Sequence, residues 1–464
     1  MLEAPDLEAQ QDELLELVEA RNFEELRARL RDREPPDLAE LMDDLPHEAE
    51  AVIFRILPRA LAADTFEYLR VDAQERLLRA MGDREVARIL NDMSPDDRTA
   101  LLEELPGKVT KRMLNLLSPE ERSVATRLLG YPEDSVGRLM TPDYVAVKPH
   151  WTVADALAHI RQFGSDSETL NMLYVTAKGG TLIDDLRMRE LLLVDPDTRI
   201  EELMDRQFVA LEATQDQEEA VTAFRRLDRT ALPVTDSGGI LVGIVTVDDV
   251  LDVAEEEATE DFHKLGGVEA FDEPYLRIGI PTLVRKRAVW LVMLFIGEML
   301  TATAMGFFQN ELAKAVVLAL FIPLIISSGG NSGSQAATLV TRAMALGEVT
   351  LRDWWRVMRR ELLAGLSLGV ILGAVGFVRI TVWALAFDSY GPHWPLIAAT
   401  IFFSLIGVVL WGSLAGSLLP IVLKRIGADP ASSSAPFVAT IVDVTGIIIF
   451  FTVAAMMLSG TLLR

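Results

Sequence analysis

Five long apolar stretches follow residue 287, at 288–308, 315–340, 362–387, 394–423 and 435–463. Each exceeds the ~20 residues that a helix needs to cross a bilayer. Lipid offers no partner for backbone N–H and C=O groups, so segments this long and this poor in charge must be helices. Residues 281–464 therefore predict an α-helical transmembrane domain with five spans. Arg285, Lys286 and Arg287 precede the first span, Arg342, Arg352, Arg356, Arg359 and Arg360 separate the second from the third, and Lys424 and Arg425 separate the fourth from the fifth. The opposite loops carry only Lys314. The positive-inside rule then puts the N-terminal part in the cytoplasm and, after five spans, the C-terminus outside. The expected location is multi-pass, in the cell (inner or plasma) membrane.

Polar groups inside such spans are costly and mark function. The second span reads "FIPLIISSGGNSGSQAATLV" over 321–340. Glycine allows a helix to break and also allows backbones to approach closely. On the first reading, freed carbonyls with Asn331 and Gln335 line a wet cavity. On the second, the stretch is a tight helix contact. Asp443, in "PFVATIVDVTGIIIFF", either faces water and a hard cation or takes a hydrogen bond from a neighbouring Ser or Thr. Glu298 either lines a pathway or bonds a neighbouring helix, and Arg379 lies close enough to a helix end to snorkel. The spans contain no Cys or His that would favour a softer metal.

The spans and their loops (281–464) hold 13 Lys/Arg against 8 Asp/Glu, a net +5, whereas the 280 residues before them hold 31 against 61, a net −30. So acidic a region repels nucleic acid and attracts cations. The N-terminal "MLEAPDLEAQQDELLEL" lacks the basic-then-apolar pattern of a signal peptide, which fits a cytosolic location. With no cysteine, disulfides, thiolate metal sites and cysteine nucleophiles are excluded. No GxxxxGK[ST] motif appears, so a nucleotide-driven pump is not expected, and nothing points to an enzyme.

Within 1–135, short amphipathic segments separated by "LPHEAE", "LPRALA", "SPDDRT", "LPGKVT" and "SPEERS" predict an all-α superhelical domain, with Pro and Ser at helix starts. Residues 136–254 read as two α+β modules, 136–197 and 198–254, each strand–helix–strand–strand–helix. The first copy, "NMLYVTAKGGTLIDDLRMREL", lacks the Val-Gly-Ile-Val strand of the second, "ALPVTDSGGILVGIVTVDDV". Residues 255–280 form an acidic linker helix. Acidic groups recur at Asp96, Asp97, Asp216, Glu218, Asp228, Asp249 and Asp252. These surfaces either meet across divalent cations or are simply solvated.

This order of parts resembles the MgtE family of magnesium channels and transporters along nearly the whole chain. The specific matches are "FIPLIISSGGNSGSQAATLVTRAMALGEV" and "GADPASSSAPFVATIVDVTGIIIF", supported by "LPVTDSGGILVGIVTVDDVLDVAEEEATEDFHKLGG" as a second CBS module with its exit. The resemblance implies a homodimer with one pore. Asp443 would hold hydrated Mg2+ there, beside Gly329, Gly330, Asn331, Gln335 and Ala439, with Asp429 at the cytoplasmic mouth. It implies that Asp96 or Asp97 faces Asp249 across Mg2+. Asp216, Glu218, Asp228, Asp252, Glu257, Glu260 and Asp261 would hold ions between the CBS modules and the linker, called the plug. High internal Mg2+ would close the pore and low Mg2+ open it. Some members bind an adenosine nucleotide at the CBS pair, an expectation that the incomplete first copy weakens. The alternatives are transport of Mn2+ or Co2+, and, in another class, a membrane-bound Mg2+ sensor without flux.

Overall fold

A computed structural model describes residues 4–462 apart from 44, 272–274, 276–277, 388 and 460. Five residues of the expected linker, and residues 460 and 463 of the last apolar stretch, lie outside the described residues. The chain divides into two compact units, Met1–Ala254 and Glu255–Arg464.

The first unit opens with ten helices: α1 (Ala4–Glu19), α2 (Phe23–Leu30), α3 (Pro35–Asp43), α4 (His47–Ile56), α5 (Arg59–Glu67), α6 (Val71–Ala80), α7 (Asp83–Asp92), α8 (Pro95–Glu104), α9 (Gly107–Leu116) and α10 (Pro119–Leu128). From α3 onward each helix begins twelve residues after the last. The helices of α4, α6, α7, α8 and α9 are each ten residues long, followed by two non-helical ones. The residue closing each of these helices is extended, with ψ between 142° and 158° at Met81, Met93, Leu105 and Leu117. Most helices pack on the helix two places along, as α3 does on α5, α5 on α7 and α7 on α9. One buried position recurs through the array at Leu41, Ile53, Thr65, Leu77, Ile89, Leu101, Met113 and Ala125. These residues are the spine of a superhelical core.

Helix ends leave carbonyls without intrahelical partners, and this array meets the need with a second recurring position. Gln74 donates to the Phe66 carbonyl at 2.7 Å, Arg98 to Leu90 at 3.1 Å, Thr110 to Leu102 at 3.2 Å and Arg122 to Leu114 at 2.7 Å. Each donor lies eight residues beyond its acceptor. Gln74 and Arg98 are thus buried, and Thr110 and Arg122 partly buried, because the previous turn needs donors. Arg98, fully buried, also pairs with Glu121.

The α+β part runs α11 (Val136–Leu139), β1 (Ala146–Val147), α12 (Val153–Phe163), β2 (Met172–Thr176), β3 (Leu182–Arg187), α13 (Met188–Leu192), α14 (Ile200–Leu203), β4 (Leu211–Glu212), α15 (Gln217–Leu227), β5 (Ala231–Thr235), β6 (Leu241–Thr246) and α16 (Val247–Leu265). Its two sheets have orders β1-β2-β3 and β4-β5-β6, each a parallel pair continued by an antiparallel hairpin with a register shift at the same place. The expected gap in the first copy is corrected: β3 forms and pairs with β2 as β6 pairs with β5. Asp184 and Asp185 concealed it. Asp184 accepts from the Arg206 and Asp185 N–H groups, at 2.9 and 3.0 Å, and Asp185 lies 3.7 Å from Arg229, so a strand can bury both. The modules also exchange their entry segments. Val136 and Met140 pack in the core of the second module, and Ile200 packs in the core of the first.

Among the described residues, the second unit contains five helices long and apolar enough to cross a membrane. They are α17 (Ile280–Phe307), then, after the short α18 (Gln309–Lys314), α19 (Ile322–Ala345), α20 (Trp354–Phe387), α21 (Trp394–Arg425) and α22 (Ala435–Leu458). Helix α21 is central and packs on α19, α20 and α22; α17 packs on α22. Small residues set the contacts, as in membrane helix pairs generally. A Cβ at Gly369 of α20 would meet Ile406 Cα at 2.8 Å, one at Gly333 of α19 would meet the Gly412 carbonyl oxygen at 3.0 Å, and one at Gly416 would fall on the Gly333 carbonyl. Of the two readings of the second span, the tight contact is the one the structure takes. Helix α19 runs unbroken through the glycines, which serve close approach to α21 instead of releasing carbonyls.

Candidate functional site

In the membrane unit the site centres on the face where α19 meets α22. Asp443, half-buried on α22, lies beside Gly330. A Cβ placed at Gly330 would meet Ala439 Cβ at 3.4 Å and Asp443 Oδ1 at 3.6 Å. Gly330 and Ala439 put only small groups beside the carboxylate. Among the described residues no side chain donates a hydrogen bond to Asp443; the neighbouring Thr445 hydroxyl instead receives the Trp411 Nε1–H at 2.7 Å and donates to the Ile441 carbonyl at 2.8 Å. Glu298 of α17 is near enough to act on Asp443 electrostatically. Asn331 and Gln335 are exposed on α19, and Asn331 contacts the Ser327 hydroxyl at 3.4 Å. A Cβ at Gly329 would run into Val408 and Val442 at 2.5 and 2.8 Å, so glycine is needed there for close packing. Ser332 joins that contact through the Ser413 hydroxyl at 2.7 Å.

Asp429 caps the short turn Pro430–Ser432 by accepting the Ala431 N–H at 2.8 Å. Its other oxygen receives Lys264 Nζ at 2.6 Å, and the same ammonium lies 2.6 Å from Glu260. Asp261, next in the helix, has its pKa pushed up by burial and by Asp429. The linker residues Glu260 and Asp261 are thus brought to Asp429. Glu257, one turn earlier, is partly buried on the same helix.

In the first unit, α8 and α16 carry Asp96, Asp97 and Asp249 to one place. Asp96 is 7% exposed at the first turn of α8. Burial raises its pKa, and the charge of Asp97 raises it further. The pKa of Asp249 is raised by burial and then by Asp96, although the Thr246 hydroxyl donates to it at 2.6 Å. Asp97 accepts from the Ser94 hydroxyl at 2.6 Å. Glu67 and Glu168 join this group and were not singled out by the sequence reading. Glu67 is pushed up to about 8 by burial, against the Ser94 N–H it accepts at 3.0 Å, with Asp97, Asp64 and Asp96 adding to the rise. Burial and then Asp248 and Asp97 raise Glu168. The twelve-residue repeat is the signal that could have found Glu67, since it puts the end of α5 beside the start of α8.

Asp216 and Asp228 sit at the two ends of α15. Asp216 caps its start by accepting the Glu218 N–H at 2.9 Å, and Asp228 ends it in the left-handed conformation at φ 51°. Asp216, Glu218, Asp228 and Asp252 are all exposed. Among the described residues no three acidic or histidine side chains converge in a geometry that would hold a metal ion.

Comparison with known proteins gives matches for every part. The divalent cation transporter family MgtE matches residues 322–453, the MgtE intracellular N domain matches 33–134, and a CBS domain matches 200–256. The magnesium transporter MgtE of Thermus thermophilus is 38% identical over 450 residues, covering 96% of this chain and 98% of that one. The magnesium transporter MgtE of Bacillus subtilis is 31% identical over 458 residues, covering 94% and 98%. A crystal structure of the cytosolic domain of the Mg2+ channel MgtE in complex with ATP is 37% identical, with TM-score 0.50, covering 52% of this chain and 99% of that one. The chain belongs to the MgtE family of divalent cation transporters.

Proposed function

We propose that the chain mediates Mg2+ uptake down its electrochemical gradient, with Asp443 as the pore ligand, and that Mg2+ bound at the acidic cytosolic surfaces shuts it. The observation that carries this is Asp443: a half-buried carboxylate on a membrane-spanning helix, beside Gly330 and Ala439 and with no hydrogen bond from the described residues. Magnesium dehydrates reluctantly and is held through its waters, which suits a carboxylate flanked by small residues. A doubly charged ion gains ~4.6 kcal/mol per 100 mV of negative interior potential. Two copies of the chain, N-terminal units in the cytoplasm and C-termini outside, would bring two such carboxylates to one pathway.

Feedback is supported by the crowding of Asp96, Asp97, Asp249, Glu67 and Glu168, where a divalent cation relieves repulsion that protons must otherwise relieve. The exposed Asp216, Glu218, Asp228 and Asp252 are candidates for weaker, hydrated binding, and Glu257, Glu260 and Asp261 for binding at the linker. A nucleotide at the CBS pair is supported by the ATP named with the related cytosolic domain. The first module also carries a complete three-stranded sheet, and Leu182, Ile183, Met204, Arg206 and Phe208 line an open surface depression on it.

The test is Mg2+ uptake into liposomes by the full chain, with internal Mg2+ low or high, beside Asp443→Ala. Loss in the variant, with suppression of the intact chain by internal Mg2+, is expected. Unchanged uptake in the variant moves the ligand elsewhere. No uptake by a folded intact chain favours a sensor, and equal uptake of Mn2+ or Co2+ under competition removes magnesium selectivity.

A further inference from the structure

The end of α16 is held down by several contacts. Lys264 bridges Glu260 and Asp429. Gly267, at φ 70°, lets the chain turn where a Cβ would strike the Trp290 ring at 2.7 Å. Lys286 of α17 donates to the Ala270 carbonyl and lies 5.5 Å from the centre of the Phe271 ring. Of these, the Lys264 bridge alone joins two acidic groups that would repel each other if left together. Asp261 adds a third negative charge to the same place.

We infer that Lys264 is a positioning residue of the gate: its ammonium holds Glu260 against Asp429 and so sets the internal Mg2+ concentration at which transport shuts. This rests on the feedback reading above. An ammonium is a compact charge with three donors and can serve two carboxylates at once. It is built into the chain, so this contact closes without recruiting an ion. Removing it leaves Glu260, Asp261 and Asp429 to be neutralised by Mg2+ alone. Closure then needs more Mg2+ and depends on it more steeply.

The experiment uses the full chain in liposomes, comparing Lys264→Gln and Lys264→Arg with the unmodified chain as internal Mg2+ is varied. In K264Q the half-inhibiting concentration should rise about fivefold, the scale of one partly exposed ion-pair contact. K264R, which keeps the charge, should stay near the unmodified value. An unchanged or lower threshold in K264Q overturns the inference. Amide exchange of residues 263–271 in chelator provides a readout that does not depend on flux, and K264Q should exchange faster. Unchanged exchange overturns the contact itself. Faster exchange in a protein whose flux ignores internal Mg2+ overturns the threshold role and the feedback reading together, while leaving the contact standing.

Discussion

Two regions of this molecule house carboxylates at odds with their surroundings, and they do so in opposite ways. Around α8 and α16, Asp96, Asp97, Asp249, Glu67 and Glu168 crowd together, and burial plus mutual repulsion raises the pKa of each. On α22, Asp443 stands beside glycine and alanine, with Glu298 as its charged neighbour. Crowding makes a group whose stability depends on what neutralises it, which suits a sensor. A carboxylate flanked by small residues, with one acidic neighbour, suits passage, because a hydrated ion can enter and leave. The same residue type is turned to two ends by the size and charge of its neighbours.

The strongest way to break that comparison is to remove the isolated member. Asp443→Ala should lower Mg2+ uptake roughly hundredfold, as expected when one partner of a poorly solvated charge pair is deleted; a radiotracer or dye flux assay reads it. Asp249→Asn acts on the crowded member in the other direction. It keeps the shape, removes one repelling charge, and should stabilise the α8–α16 contact in chelator by about 1 kcal/mol, the scale of one pKa unit. Amide protection in both helices measures this, and inhibition of flux should then need less Mg2+.

pH sharpens the contrast. Carboxyls whose pKa is raised in the folded state, Glu67 to about 8, retain protons that the unfolded chain has lost. Their contribution is complete below the ordinary carboxylate range and is lost as pH rises toward 8. In chelator, protection of α8 and α16 should therefore fall between pH 5 and pH 8, and Mg2+ should restore it. Equal protection at both pH values would deny the crowding. The smallest effect is expected from Gly330→Ala, where the added methyl meets Ala439 and Asp443 at ordinary contact distances. Stability should be unchanged and uptake about twofold lower, because one ordered water is displaced.

The spans were legible because hydrocarbon imposes a length and a composition that little else in the chain matches. The acidic residues on α8 and α16 were visible individually, but their meeting was expected only through family resemblance, since nothing in local spacing relates residue 96 to residue 249. The glycines of α19 were read in two ways because glycine permits both a break and a close contact; only the partner glycines of α21, eighty residues away, decide between them. Strand β3 was missed because two adjacent aspartates disguise it until Arg206 and Arg229 are brought alongside. Lys264 was not singled out in the sequence, although its place four residues after Glu260 matches a helical ion pair. Its second partner, Asp429, is beyond the reach of any local pattern.

The twelve-residue spacing of α3 to α10 limits how this region can be edited by insertion and deletion. Losing one residue inside a helix turns everything after it by about 100° about the helix axis. The buried spine would then point outward, and each donor would miss the carbonyl eight positions back. Losing twelve restores both alignments and costs one unit of a stack whose members contact near neighbours. Related genes should therefore differ in the length of this region by whole repeats, and frame-preserving deletions of any other size should fail to fold even where every side chain lost is replaceable.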